Sequence, residues 1–207
     1  MIKLEKLDRM LGRKFLRLSL SEWCVISAIC AYAAVFSAYT IFKHVCFQTY
    51  AADLGIFYQA LWSTCHGKLL YETPDMLRFN TSGCFLATHF APILLVLVPL
   101  FALFPRAETL LILQSLVIAS AAFPLSRIAK EMFGESAGLF VGLSYLLYFP
   151  IHGANCYDFH LEAFVPLFVA LAIYYYERRD FRKCLLSMTF LWATMMEVTS
   201  LFAAFIA

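Results

Sequence analysis

Charge is what this 207-residue chain has least of: Asp, Glu, Lys and Arg make up only 14% of it, against 62% hydrophobic and 17% aromatic residues. A soluble domain needs more charge than this to cover its surface, so a water-soluble globular fold is excluded. The formal net charge is only +2 and no basic face can be assembled, which excludes nucleic acid as a partner. There is no CxxC pair, P-loop, dinucleotide fingerprint or serine nucleophile elbow, so nucleotide hydrolysis, hydride transfer and serine-hydrolase chemistry have no support. No internal repeat emerges, which argues against a secondary transporter built from inverted halves. The first apolar run lacks a small-residue cleavage site after it, so it reads as an anchor and not as a removable signal.

What the chain does have is long apolar runs, at 23–42, 90–104, 109–128, 137–151, 163–176 and 184–207, with a mean hydropathy of +0.76. About 20 apolar residues cross a bilayer core of about 30 Å, so the chain has room for five or six spans. The 90–104 run contains Pro92 and Pro99 and is closed by Pro105. As a helix it would reach only about 22 Å, which is short for a span.

The basic residues discriminate between the two topologies, because an extra crossing inverts the side of every later loop. Lys3, Lys6, Arg9, Arg13, Lys14 and Arg17 mark the amino terminus as cytoplasmic. If the 90–104 run does not cross, Arg127, Lys130, Arg178, Arg179, Arg182 and Lys183 join them, placing twelve of the 16 basic residues inside. If it does cross, those six move outside. The positive-inside rule favours the first topology.

The expected fold is therefore an all-α polytopic integral membrane protein of the cell membrane with about five transmembrane helices. Residues 1–22 form a basic cytoplasmic segment, 23–42 the first span, 43–108 a non-cytoplasmic loop with interfacial or re-entrant helices near 53–66 and 89–104, and 109–207 four further spans. The last span ends at Ala207 with no polar flank, which reads as a truncated chain.

Leu54, Phe57, Tyr58, Leu61, Trp62 and Cys65 recur at helical spacing after Asp53, giving an amphipathic, aromatic helix suited to the headgroup layer. Asp53 at its start reads either as a helix cap or as a functional acid. The second polar cluster is Tyr157-Asp158-Phe159-His160-Leu161-Glu162. On a helix Asp158 and Glu162 share a face while His160 points away, whereas an extended segment projects all three to one side. The extended form suits a divalent metal such as zinc or manganese, with Asp158, His160 and Glu162 as ligands and His89 as a further one. Otherwise the cluster caps the next span. Asn80-Thr81-Ser82 matches a glycosylation sequon, and Cys65 to Cys84 is the most plausible of the disulfides that the seven cysteines allow.

The blocks Asp53-Leu54-Gly55-Ile56-Phe57-Tyr58-Gln59-Ala60-Leu61-Trp62, His66-Gly67, His89-Phe90-Ala91-Pro92-Ile93-Leu94 and Gly153-Ala154-Asn155 followed by Asp158-Phe159-His160-Leu161-Glu162-Ala163 resemble, in order and spacing, the domain-of-unknown-function 2079 membrane family. That family is in turn similar in layout to the C-type (GT-C) glycosyltransferases, polytopic enzymes that take sugars from polyprenyl phosphates. The resemblance implies a GT-C-like amino-terminal module and transfer of a sugar from a polyprenyl-phosphate donor at the non-cytoplasmic face. It also implies Asp53 as the catalytic acid of the first outer loop. His89, Asp158, His160, Glu162 and Glu197 are then candidates for substrate or metal contact. Arg106 is the best-placed phosphate ligand, with Lys68 and Arg78 as alternatives. Around Glu197 the family carries a Lys-Glu-Asp or Lys-Glu-Glu block, but Met196 and Val198 stand here. Membrane lipids and a lipid-linked sugar are the expected partners. The readings from other classes are a lipid or solute transporter and an inactive membrane subunit.

Overall fold

The computed structural model describes residues 18–77 and 80–194, and every regular element among them is helical. Glu197 and Arg78 lie outside the described residues. Helix α1 (Leu20–Val45) opens on a capping box, in which Ser19 Oγ accepts from the Glu22 amide and Glu22 accepts from the Ser19 amide at 2.7 Å. Its 26 residues are about 39 Å long. Phe47, at φ 57°, then reverses the chain. A π-type turn, Ala51–Gly55, leads into α2 (Ile56–Cys65), and an irregular loop with a 3-10 turn at Phe85–Ala87 leads to α3 (Ile93–Leu103).

Helices α4 (Ala107–Ser120) and α5 (Ala122–Phe133) form one nearly continuous rod of 27 residues. Gly134, at φ 94°, turns the chain into α6 (Glu135–Leu146), which runs back along α5. Two glycines let them approach: a Cβ on Gly138 would lie 2.7 Å from Lys130 Cβ and 2.8 Å from the Ser126 carbonyl, and one on Gly142 would meet Val25 of α1. The Gly138-x-x-x-Gly142 spacing is thus a close-packing seam of the bundle. A 41° bend separates α6 from α7 (Phe149–Cys156), with Pro150 in the first turn of the latter. A 3-10 turn at Leu161–Phe164 precedes α8 (Val165–Glu177), which pairs with α9 (Phe181–Thr194).

Two of these helices, α1 and the α4–α5 rod, are long and apolar enough to cross a membrane, and the bent α6–α7 pair makes a third if it is one span. The 13 residues of α8 reach about 20 Å, and the described part of α9 has 14 residues. The sequence expectation of five spans is therefore met for two to three.

Ion pairs define the two ends of the bundle. At one end, Glu22 near the start of α1 pairs with Arg127 and Lys130 near the end of α5, and Arg178 pairs with Glu131. At the other, Lys43 near the end of α1 reaches Asp158. Both ends of α3 belong to this second region: His89, just before it, shares a pocket with Asp53 and His160, and Arg106, just after it, shares one with His44 and Tyr50. The short proline-containing helix thus lies beside the 51–55 turn, with residues flanking each of its ends on pockets that the turn lines.

Candidate functional site

Phe159 anchors the site. Its fully buried ring packs edge-on against Phe57 of α2, at 5.2 Å between centroids, and against Phe164. This holds the 157–160 segment across the start of α2 with Asp158 and His160 on either side of the anchor. The segment is extended through His160 (φ −140°, ψ 142°) and enters the 3-10 turn at Leu161. Asp158 and Glu162 therefore do not share a helical face.

Asp158 is fully buried and committed to structure. Its carboxylate accepts from Lys43 Nζ at 3.3 Å and from the Tyr50 amide at 2.5 Å, while Lys43 also donates to the Cys156 carbonyl. Both oxygens of Asp158 are thus engaged, one by Lys43 and one by the Tyr50 amide, so the metal role expected for it beside His160 and Glu162 would compete with these bonds. Among the described residues no three His, Cys, Asp or Glu side chains stand at metal-holding geometry.

Gln114 of α4 fixes the same segment from the other side. Its Oε1 accepts from the His160 amide at 2.7 Å, and its Nε2 donates to the Asp158 carbonyl at 3.3 Å. Below it Ser115 donates to Asn155 Oδ1. Neither Gln114 nor Ser115 carries a motif that sequence reading can detect; only the packing of α4 against α7 reveals them.

The pinned segment presents His160 to Asp53. His160 Nδ1 lies 2.8 Å from the Asp158 carbonyl, which can only accept, so Nδ1 carries the proton. Nε2 then faces Asp53 Oδ1 at 3.4 Å. In the neutral ring that nitrogen is a lone pair opposite a carboxylate, an arrangement that a shared cation can bridge. The other Asp53 oxygen accepts from Tyr157 Oη at 3.2 Å, and the Asp53 charge holds the Tyr157 phenol above its ordinary range. Asp53 and His160 keep 25% and 29% of their side-chain surface open. Asp53 lies inside the π-type turn and not at a cap position, which Tyr50 and Gly55 occupy.

Asp53, His160, Glu162 and His89 all line one pocket of about 190 Å³, together with Asp75. Asp75 was not legible in the sequence, since it sits in a turn-rich loop without periodicity. Behind it Glu72 is fully buried, with Oε2 accepting from the Asp75 amide at 2.8 Å and Oε1 without a partner. Burial pushes the Glu72 carboxyl above its usual range, offset in part by that amide and reinforced by the Asp75 charge.

Arg106 is exposed on the opposite face of the 51–55 turn, where His44, Tyr50, Glu108 and the first turn of α4 line a second pocket of about 470 Å³. The turn holding Asp53 thus separates an acidic and imidazole pocket from one with Arg106 and an uncapped helix amino terminus. Asn80 is nearly buried and donates to the Cys84 carbonyl at 2.6 Å and to Thr88, so the sequon nitrogen is engaged. All seven cysteines are free thiols, Cys65 and Cys84 included, so the expected bridge is not formed.

Residues 43–207 match the family model described as predicted membrane protein (DUF2079). No curated protein and no solved structure matches the chain, so the layout likeness to C-type glycosyltransferases gains no support from comparison. The family match takes in the Asp53 turn, the 157–162 segment and every helix after α1, and on it the chain belongs to the DUF2079 family of predicted membrane proteins.

Proposed function

We propose that this membrane protein transfers a sugar from a polyprenyl phosphate, with Asp53 as the base. The observation that carries the reading is the convergence of Asp53, Asp75, His89, His160 and Glu162 on one pocket beside the Arg106 pocket. Asp53 takes the proton of an acceptor hydroxyl as its oxygen attacks the anomeric carbon. The bond from that carbon to the phosphate oxygen breaks, and polyprenyl phosphate leaves with the electron pair, its charge met by Arg106 and the α4 amino terminus. A divalent ion held by Asp53 and His160 alone, with water completing its shell, would lessen the charge on the leaving phosphate. Tyr157 and His160 orient the base.

The active face lies outside, the amino terminus inside, and five helices cross. The gathering of Lys130, Arg127 and Arg178 at the end away from Asp53 supports that orientation. A buried polar string through α4 and α7, Gln114, Ser115 and Asn155, favours the second reading, a transporter.

Single cysteines at 53, 106, 130 and 160 in a cysteine-free background, labelled in intact cells with an impermeant thiol reagent, separate the two. Labelling at 53, 106 and 160 but not 130 is expected. Labelling at 130 with 160 silent overturns the transfer reading in favour of transport.

A further inference from the structure

A third pocket lies at the opposite end of the bundle, where α5, α8 and α9 meet. It encloses about 630 Å³ and is lined by Arg127, Tyr174, Tyr175, Arg178, Asp180 and Lys183. Its three cations each stand over an aromatic ring: Arg178 over Tyr174 at 4.7 Å, Lys183 over Tyr175 at 5.3 Å, and Arg127 over Phe123 at 5.8 Å. Stacking holds each charge in place along an aromatic wall.

Each cation already has a carboxylate partner, so unspent donors decide what the pocket can bind. Arg127 meets Glu22 through Nη1, Arg178 meets Glu131 through Nη2, and Lys183 meets Asp180 at 2.7 Å. A guanidinium has five N–H donors, and Nε of Arg127 is buried without a partner. Exposure rises outward from Arg127 (26%) to Arg178 (43%) and Lys183 (59%), so the donors form a graded funnel. Only one carboxylate, Asp180, lines the pocket itself. Leu18 also lines it, and residues 1–17 leading into Leu18 carry six basic and two acidic side chains. Among the lining residues cations outnumber carboxylates three to one, and the wall is aromatic.

We propose that this pocket binds the headgroup phosphate of an anionic phospholipid. Arg178 and Lys183 meet the phosphate oxygens, Arg127 lies deepest, and the Tyr174 and Tyr175 rings flank the glycerol region. A lipid fits better than a free anion, because a pocket walled by the Phe123, Tyr174 and Tyr175 rings and Leu18 also accommodates the carbon atoms next to the phosphate. The site does not depend on the chemistry assigned to Asp53.

Native mass spectrometry of the purified full chain, exposed to equal amounts of phosphatidylglycerol and phosphatidylcholine, tests it. The expected result is preferential retention of phosphatidylglycerol, falling about fivefold for each charge removed in R178Q and K183Q and lost in the double variant. K68Q, an exposed lysine outside the pocket, keeps the preference. The single variants keep the test decisive if the double variant does not fold. Equal retention of the two lipids, or an unchanged preference in R178Q and K183Q, overturns the proposal. Displacement of phosphatidylglycerol by excess inorganic phosphate overturns the lipid assignment and leaves a simple anion site.

Discussion

Lys43 and Asp158, 115 positions apart, meet at 3.3 Å and join the end of α1 to the segment that carries His160. The same carboxylate grips the Tyr50 amide, so one buried side chain sets the spacing between the Asp53 turn and the His160 strand. Removing a single member leaves the other charge buried and unpaired, which costs about 3–5 kcal/mol. Asp158→Ala is therefore expected to lower the unfolding midpoint in denaturant sharply, while Glu162→Ala, partly exposed at the pocket, leaves it nearly unchanged. Equal midpoints for the two variants would show that the pair does not hold the segment.

Glu72 makes stability depend on pH. Its folded-state pKa is raised above the usual glutamate value, so the folded protein holds the proton more tightly than the unfolded chain. That contribution is present in full below the unfolded pKa of about 4.3 and is lost as pH rises through the folded value. Glu72→Gln keeps an oxygen for the Asp75 amide and carries no charge, so its stability should be flatter with pH and higher than wild type at neutral pH. Parallel curves for wild type and variant, from thermal melts across this range, would contradict it.

The α5–α6 contact predicts opposite outcomes for two glycines. Gly138→Ala drives a methyl against the Ser126 carbonyl and Lys130 and should cost about 1–3 kcal/mol. Gly153→Ala, in helix α7 with nothing within 4 Å of the added carbon, should be neutral or stabilising by up to about 1 kcal/mol. Chemical denaturation of the two variants checks the contrast, and similar losses at both would mean that the seam is not tightly packed.

The lone pair of His160 facing Asp53 predicts cation binding. Manganese titrated calorimetrically into the purified chain should give one site that weakens by at least about tenfold in His160→Ala. Unchanged heats in His160→Ala and Asp53→Asn would exclude these residues as ligands.

Hydropathy alone located α1 and the α4–α5 rod to within a few residues, because an uninterrupted apolar run has only one economical structure. It did not register the 41° bend between α6 and α7 or the 3-10 turn at Leu161, where the apolar run continues while the backbone changes direction. Asp53, His89, His160 and Glu162 were legible as polar groups out of place in an apolar chain, and the fold brings these four to one pocket. Asp158 carried the same signal but is structural, since its partner Lys43 lies in another helix and no local spacing announces the pair. Gln114 was missed for the same reason, and Glu72 and Asp75 because they sit in a turn-rich loop without periodicity. The Gly138-x-x-x-Gly142 seam was missed as well, and only the approach to Ser126, Lys130 and Val25 reveals it.

The most direct test of the central claim is a transfer assay with membranes that contain the chain. Radiolabelled polyprenyl-phosphate sugars are incubated with these membranes, and label leaving the organic-soluble pool is counted for wild type, Asp53→Asn and Arg178→Gln. The account predicts transfer by wild type, a drop of about 10²- to 10⁴-fold in Asp53→Asn, and no change in Arg178→Gln, which lies at the far end of the bundle. Equal transfer by wild type and Asp53→Asn, or none above membranes lacking the chain for any donor, would contradict it.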